Sequence, residues 1–423
     1  MQIAFTGANL IDGTGSKVRE NATIVIDGNK ITEIAESYKP GKDVRVVDLG
    51  GKTVTPGIID THVHFANIYT GFLPYHPMIR YGYVWAKTVW AMERMLRSGV
   101  TAAQDLGGLD AGYVDAEEEG SVPSPRLKGN AVQFMMPTNG STDFLPGVGG
   151  FKTARGDGEA FPGIPDPHCD GPWECRKKTR ELLRAGADVI KIGTGGCMAM
   201  RKYSHFAPTF TREEIDVFID EGKRQNMNVA CHVVGGQGLE DAICAGVHSI
   251  EHGQGLDDRL IGEMAERGTF WVPTLWVIKY HTEADESQEE RDTMKRYYEM
   301  TIDNLSKAHK AGVRIAMGSD AGLHDPENNG AFLEMEYMSD GGMSNADIIR
   351  ASTAIAAEKI GIDDITGTLE AGKEADLLII DGDPLADIKI FNDASKKNLV
   401  LKAGKPVGGT WFDRDIETMA MGD

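Results

Sequence analysis

The run "VTPGIIDTHVHF" ends an apolar stretch with His62 and His64, two of only 11 histidines in 423 residues. Side chains of an extended strand alternate between faces with a period of two, so residues 62 and 64 project to the same side. Two imidazoles side by side on one face either share a polar network or bind one ion. Four more residues of ligating or anion-forming type sit at the ends of similar apolar runs. Lys191 lies in "DVIKIGTGG", His232 in "NVACHVVGG", His252 in "HSIEHGQG" and Asp320 in "VRIAMGSDAG". Each alone reads as an ordinary satisfied polar residue. The six together point to a metal centre, because clustered imidazoles without a cation would have to be neutral and bonded to one another.

Bringing these six to one rim requires a particular arrangement of elements. Strands are predicted over 58–65, 100–106, 126–133, 188–192, 228–232, 248–252, 269–275 and 313–320, with helical segments in most of the gaps. "YVWAKTVWAMERMLRSG" and "WECRKKTRELLRAGA" each run out at glycine, as helices often do. "TREEIDVFIDEGKRQN" opens with a capping box, Thr211 to Glu214. Eight such units predict an α/β chain built on a distorted (β/α)8 TIM barrel over 58–364, with its site at the C-terminal ends of the strands. A doubly wound open sheet is the alternative, but no Gly-rich phosphate loop follows the first strand. Outside this region the chain reads as β. "ATIVIDGNKITEIAE" alternates around Asp27-Gly28 as a hairpin, and "ADLLIIDGDPLADI" and "NLVLKAGKPVGG" are apolar strands with tight turns. Residues 1–57 and 365–423 are expected to pair into a small β-sandwich domain.

Composition limits the function classes. Against 44 basic residues stand 64 acidic ones, a net charge of −20, which argues against nucleic acid or an anionic membrane as partner. No run of 18 apolar residues suggests a membrane span, and the start lacks the basic and apolar regions of a signal peptide. Five cysteines without CxxC spacing fit a reduced, cytoplasmic setting. A small-molecule substrate is the expected partner; a homo-oligomer is compatible with the sequence but not readable from it.

The ordered set of "PGIIDTHVH", the strand-four lysine, the two later histidines and "GSDAG" resembles the amidohydrolase superfamily in its two-metal form. "GADVIKIGTGG", "AGVHSIEHGQGLDD", "FWVPTL" and "GTLEAGKEADLLIIDGDPL" resemble its prolidase-like branch of dipeptidases, carboxypeptidases and ochratoxin-type amidases. The resemblance implies that His62, His64 and Asp320 hold the more buried metal and His232 and His252 the second. Lys191, as a carbamate formed with carbon dioxide, would bridge them. An ammonium beside two divalent cations is disfavoured, whereas a carbamate is an anion with two oxygens. Zinc is the default for such nitrogen and oxygen ligands, and cobalt or manganese suits the same set. A bridging hydroxide would attack the carbonyl, and Asp320 would pass its proton to the leaving nitrogen.

The lysine separates reaction types. Single-metal deaminases and imidazolonepropionase-like members lack it, so hydrolysis of an amide, carbamate or urea C–N bond is expected rather than deamination or cyclic-amide opening. A non-catalytic metal-binding protein would be expected to lose part of the set. Prolidase-like relatives carry a Tyr two residues after the strand-five histidine and a His in the loop after strand three. Here the first position is Val234, and "FMMPTNGSTDFLPGVGG" contains no histidine. With aromatic loops such as "ANIYTGFLPYHPMIRYGY", this predicts an apolar or aryl amide, carbamate, urea or N-acyl amino acid as substrate. An Xaa-Pro-type dipeptidase or carboxypeptidase is the alternative, with Arg155, Arg201, Lys202 and Tyr203 as candidates to grip an anionic end. Asp60, on the face of His62, either orients a ligand or makes a core hydrogen bond. His248 is expected in a lower polar layer, and the thiols of Cys197 and Cys231 are not expected to act as nucleophiles.

Overall fold

A computed structural model describes residues 2–65, 81–130, 135–137, 167–196, 204–284, 287–322 and 330–412. The first five strands are β1 (Gln2–Leu10), β2 (Arg19–Asp27), β3 (Lys30–Ala35), β4 (Arg45–Asp48) and β5 (Thr53–Pro56). The last three are β14 (Leu377–Ile380), β15 (Lys397–Lys402) and β16 (Lys405–Gly408). All eight join one sheet of order β16-β15-β14-β5-β1-β2-β3, with β4 also on β1. β1 serves both β4 and β5 because they pair with successive stretches of it, Ile3–Thr6 and Asn9–Leu10. The two ends of the chain meet where β5 and β14 run antiparallel, Leu377 opposite Pro56. Their shared core holds Phe5, Leu10, Ile24, Val54, Leu377, Ile379 and Leu399. The turn between β2 and β3 differs from expectation by one residue. Asp27 pairs with Lys30, so the turn is Gly28-Asn29, with Gly28 in the left-handed region (φ 60°) that such hairpins need.

Between these segments lie β6 (Ile58–Val63), β7 (Val100–Asp105), β8 (Arg126–Gly129), β9 (Ile190–Gly193), β10 (Val229–Val233), β11 (Ser249–His252), β12 (Phe270–Val272) and β13 (Arg314–Ile315). Every predicted strand of this region is present, and neighbours in space are neighbours in sequence. β6-β7-β8 form one parallel sheet and β9 to β13 another. Doubly wound sheets reverse their strand order, and no reversal occurs here. Backbone hydrogen bonds tie the sheets at both seams. Met135 N–H donates to Lys191 O (2.8 Å) and Gly193 N–H to Met135 O (2.9 Å). At the other seam Thr61 N–H donates to Met317 O (3.1 Å), Asp320 N–H to His62 O (2.7 Å) and His64 N–H to Ala321 O (2.8 Å).

The expected helices follow the strands. Tyr81–Ser98 and Gly171–Arg184 match the quoted segments, and Arg212–Gln225 has the full Thr211/Glu214 capping box. The acidic segment becomes the helix Gln288–Ala311, capped by Ser287 and Glu290 and burying Met294, Tyr297 and Leu305 along one seam. Several strands are shorter than predicted, and two of them show the reason. β12 stops at Val272 because Thr274 is left-handed (φ 49°) and opens the helix Leu275–Glu283. Ladder pairing of β13 stops at Ile315; Ala316 N–H still donates to Trp271 O on β12, and residues 317–321 continue along β6.

Candidate metal centre

The seam between β6 and the segment after β13 builds the first cluster. Asp320 N–H bonded to His62 O, and His64 N–H bonded to Ala321 O, fix three side chains side by side. His62 Nε2 and His64 Nε2 are 3.3 Å apart, and Asp320 Oδ1 lies 3.5 and 3.1 Å from them. These are the ligand-type atoms of a His62–His64–Asp320 group, all buried and within 4.8 Å of one another. Their other ring nitrogens are committed elsewhere. His62 Nδ1 pairs with Glu251 Oε2 (2.9 Å) and His64 Nδ1 with Gly107 O (3.1 Å), which leaves the Nε2 atoms as the ones presented to an ion.

The other two histidines approach from the next sheet. The His232 and His252 rings lie 4.4 Å apart, and His252 lies 5.1 Å from His62, measured between centroids. His252 Nδ1 is held by Thr274 Oγ1 (2.8 Å), and the Trp271 indole donates to His252 O (2.8 Å). Lys191 is wholly buried on β9, and its Nζ has no hydrogen-bond partner among the described residues. Burial pushes that amine down to about 8. Burial and the Lys191 charge hold His62 well below its ordinary value, burial and His252 do the same to His232, and burial takes His252 to about 4. Burial would raise Asp320, but His62 and His64 outweigh it and hold the carboxyl low. His64 goes the other way: burial would lower it, but the Asp320 carboxylate outweighs burial and raises it. At His62, His232 and His252 the neutral imidazole beside an ionised carboxylate is the form that binds a divalent cation. An amine with no acceptor inside such a cage is an orphan unless it becomes an acceptor itself. The His62–His64–Asp320 group fits a divalent cation.

A family model for amidohydrolases matches residues 53–407. The chain belongs to the amidohydrolase family. This amidohydrolase is 31% identical to the ochratoxinase of Aspergillus niger over 425 aligned positions, covering 95% of this chain and 86% of the relative. A solved Xaa-Pro dipeptidase with methionine in its active site is 29% identical, with a TM-score of 0.84 and coverage of 97% of this chain and 100% of that one. A prolidase complexed with N-methylphosphonate-L-proline is 27% identical, with a TM-score of 0.86 and the same coverages. The amidohydrolase is a hydrolase acting on C–N bonds, with a His/His/Asp metal-binding group.

Besides Thr274, three partners of the site lie beyond the sequence expectation. Strict alternation puts Glu251 opposite His252. In the structure His252 is left-handed (φ 76°), which breaks the alternation and lets both neighbours serve the site. Ser249 Oγ donates to Glu251 Oε1 (2.6 Å), and the buried Lys359 ammonium lies 3.1 Å from the same oxygen. Lys359 also donates to Thr61 O (3.0 Å) and Gln104 Oε1 (2.6 Å). Asp105 accepts from Phe65 N–H (2.7 Å) and Gly107 N–H (2.8 Å), shaping the turn whose carbonyl meets His64. The "SIEHG" sequence itself carried the Glu251 signal; nothing local marked Lys359 or Asp105.

Asp60 does not orient a ligand ring. Its carboxylate accepts from His62 N–H (3.1 Å), Ser319 N–H (3.0 Å) and Ser319 Oγ (2.5 Å), so it staples the backbone of the β6 seam. His248 bonds to Lys359 O (3.0 Å) and packs on Phe270, a structural role as expected. Burial pushes the Cys231 thiol up to about 12, which leaves it a neutral thiol. Val234 is buried with Trp276, Tyr297 and Ala321. Phe206 packs against the same cluster, close enough that a Cβ on Gly235 or Gly255 would lie 2.4 or 2.7 Å from its ring. Arg155, Cys197, Arg201, Lys202, Tyr203 and the loops quoted above after strands one and three lie outside the described residues, apart from 81–83 in the helix Tyr81–Ser98 and 135–137 at the seam with β9.

Proposed function

We propose that this amidohydrolase uses two divalent cations to hydrolyse an amide, carbamate, urea or N-acyl amino acid whose flanking group is apolar or aromatic. The observation that carries the two-metal reading is the Lys191 amine, fully buried and unpartnered among the described residues. His62, His64 and Asp320 would hold one cation, His232 and His252 the other, with Lys191 as the bridge. The neutral amine adds to carbon dioxide through its lone pair and releases one proton, giving a carbamate anion. Zinc is the first choice, with cobalt or manganese suited to the same donors. When bound, such a pair supplies Lewis acidity toward a carbonyl oxygen and acidifies water.

The chain's own groups do the rest. Glu251 holds His62 with its Nε2 free, and Thr274 does the same for His252. Asp320 takes the proton of the attacking water on its carboxylate and delivers it to the leaving nitrogen. Supporting an apolar substrate is the cluster of Val234, Phe206, Trp276 and Tyr297, which begins two residues beyond His232 and one beyond Asp320. Likeness to the Xaa-Pro dipeptidase and prolidase structures favours a second reading, dipeptide cleavage with Arg155, Arg201 or Tyr203 on the carboxylate.

Around this site we also propose a closed, distorted (β/α)8 barrel over 58–364 and a small β-sandwich unit from 1–57 and 365–423. Cys169, Cys175, Cys231 and Cys244 are free thiols, which supports a reduced, cytoplasmic setting. No described helix is long and apolar enough to cross a membrane.

Metal-loaded enzyme is to be assayed on aryl amides, carbamates, phenylureas, N-acyl amino acids and Xaa-Pro dipeptides. Higher kcat/KM on the uncharged aryl compounds supports the first reading. Preferred cleavage of dipeptides, lost in Arg155→Ala or Arg201→Ala, would establish the second.

A further inference from the structure

The helix Leu275–Glu283 starts straight after β12 without a cap of the usual kind. An N-cap residue ordinarily has extended backbone, and its side-chain oxygen accepts from an amide of the first turn. Thr274 occupies that position but is left-handed (φ 49°), and its side chain caps nothing. Its hydroxyl is turned instead to His252 Nδ1, at 2.8 Å. The first-turn amides are buried and need acceptors. A different helix, Gly330–Asp340, provides one. Glu334, wholly buried, accepts the Trp276 N–H on Oε2 at 2.6 Å and also the Leu275 N–H. The same helix is seated on the Asp320 turn, since a Cβ on Gly330 would lie 3.1 Å from Ala321 Cβ and 3.3 Å from both Ser319 Cβ and Trp276 Cδ2.

We infer that Glu334 is a positioning residue for His252: it caps the helix in place of Thr274, which frees the Thr274 hydroxyl to hold the imidazole with Nε2 toward the second cation. Without that acceptor, Thr274 gains by returning to extended backbone and capping the helix itself, and its hydroxyl then swings away from His252. Burial, reinforced by the charges of Asp60 and Asp320, pushes the Glu334 carboxyl up to about 8. At neutral pH it is an uncharged acid, so the acceptor oxygen matters and a negative charge does not. Glutamine keeps that oxygen. The inference relies on the two-metal reading only for what His252 ligates; the contacts from Glu334 through Thr274 to His252 belong to the chain itself.

The test uses the full chain, with Glu334→Leu, Glu334→Gln, Thr274→Val and Thr274→Ser. Nitrogen-15 NMR of the metal-free protein reads the His252 tautomer, and zinc titration reads the two affinities. Glu334→Leu and Thr274→Val are expected to change the tautomer balance of His252 from that of the wild type and to weaken one zinc by about 10–100-fold, the usual scale for losing a partner of a metal-ligating histidine. The other zinc is expected to stay, and Glu334→Gln and Thr274→Ser to behave as wild type. An unchanged tautomer in Glu334→Leu overturns the inference, as does Glu334→Gln failing as badly as Glu334→Leu. Should Glu334→Leu fail to fold, Glu334→Asp, an acid too short to reach the amides, is read in the same way. A wild-type chain that binds one zinc would sink the two-metal reading, while the tautomer still decides the role of Glu334.

Discussion

Lys191 combines complete burial, a value lowered to about 8 and no hydrogen-bond partner among the described residues. Lowering an amine toward neutrality raises its share of free base, the form that reacts with carbon dioxide. Lys191→Ala is expected to be inactive, and formate, acetate or propionate to restore part of the turnover by supplying the missing carboxylate. Carbon-13 NMR of protein equilibrated with labelled bicarbonate should show a carbamate signal that this variant lacks; turnover in a Lys191→Ala enzyme without added acid would remove the lysine from the mechanism. Asp320→Asn keeps an oxygen for a cation but cannot carry a proton, so kcat should fall by about two orders of magnitude or more. Stopped assays at matched zinc content check this. Glu334 gives a pH signature. Its folded-state value lies above its ordinary one, so its contribution to stability is full below about 4.5 and is lost as the pH rises through about 8. Denaturant unfolding of metal-free protein at about pH 6 and pH 9 should therefore show a smaller loss in Glu334→Gln than in wild type. Parallel losses would mean the acid is ionised in the fold.

At the scale of elements, the site is made where strands stop being regular. His252, Thr274 and Asp320 are all left-handed non-glycine residues at the ends of successive strands. Such conformations cost of order 1–3 kcal/mol each and persist only where surrounding contacts impose them. Here the seam bonds and the His252–Thr274 contact impose them. Gly318 permits the arrangement, because a Cβ there would lie 2.8 Å from His62 Cβ and 2.5 Å from Val272 Cγ1. Gly318→Ala should push His62 from Asp320 and weaken zinc binding at the His62–His64–Asp320 group by about 10–100-fold, measurable by chelator competition. Undiminished affinity would show that β6 can yield without disturbing the ligands. This irregularity also sets what the sequence could reveal. Apolar runs separated by helical segments located all eight parallel strands and put His62, His64, Lys191, His232, His252 and Asp320 at one end. Period-two alternation puts Glu251 opposite His252, and Glu251 serves the site because His252 departs from that alternation. Lys359, Glu334 and Thr274 were hidden for a different reason. Their contacts cross between elements remote in sequence, and no local pattern encodes a partner on another helix.

For the whole molecule, the terminal sheet and the parallel sheets are joined by charges as well as by packing. Arg126, at the start of β8, reaches Glu374 at 2.6 Å and the buried Asp376 at 3.7 Å, and Lys397 donates to Ser98 O at 2.7 Å. Arg126→Met leaves the buried Asp376 without its cation and should cost about 3 kcal/mol, the scale for orphaning one member of a buried pair. Chemical denaturation measures it, and zinc content should stay unchanged because the ligands lie at the opposite ends of the strands. Closing both sheets also has a cost in time. Ser319 bonds to Asp60 across 259 residues of chain, and β14 reaches back to β5 across more. At about 5–20 residues per second, a ribosome needs on the order of tens of seconds to deliver the second partner after the first. Throughout that interval His62 and His64 are in place without Asp320, and β5 waits with an open edge. The His62–His64–Asp320 group is thus complete only in a finished chain, and the nascent chain depends on whatever shields that edge until β14 emerges.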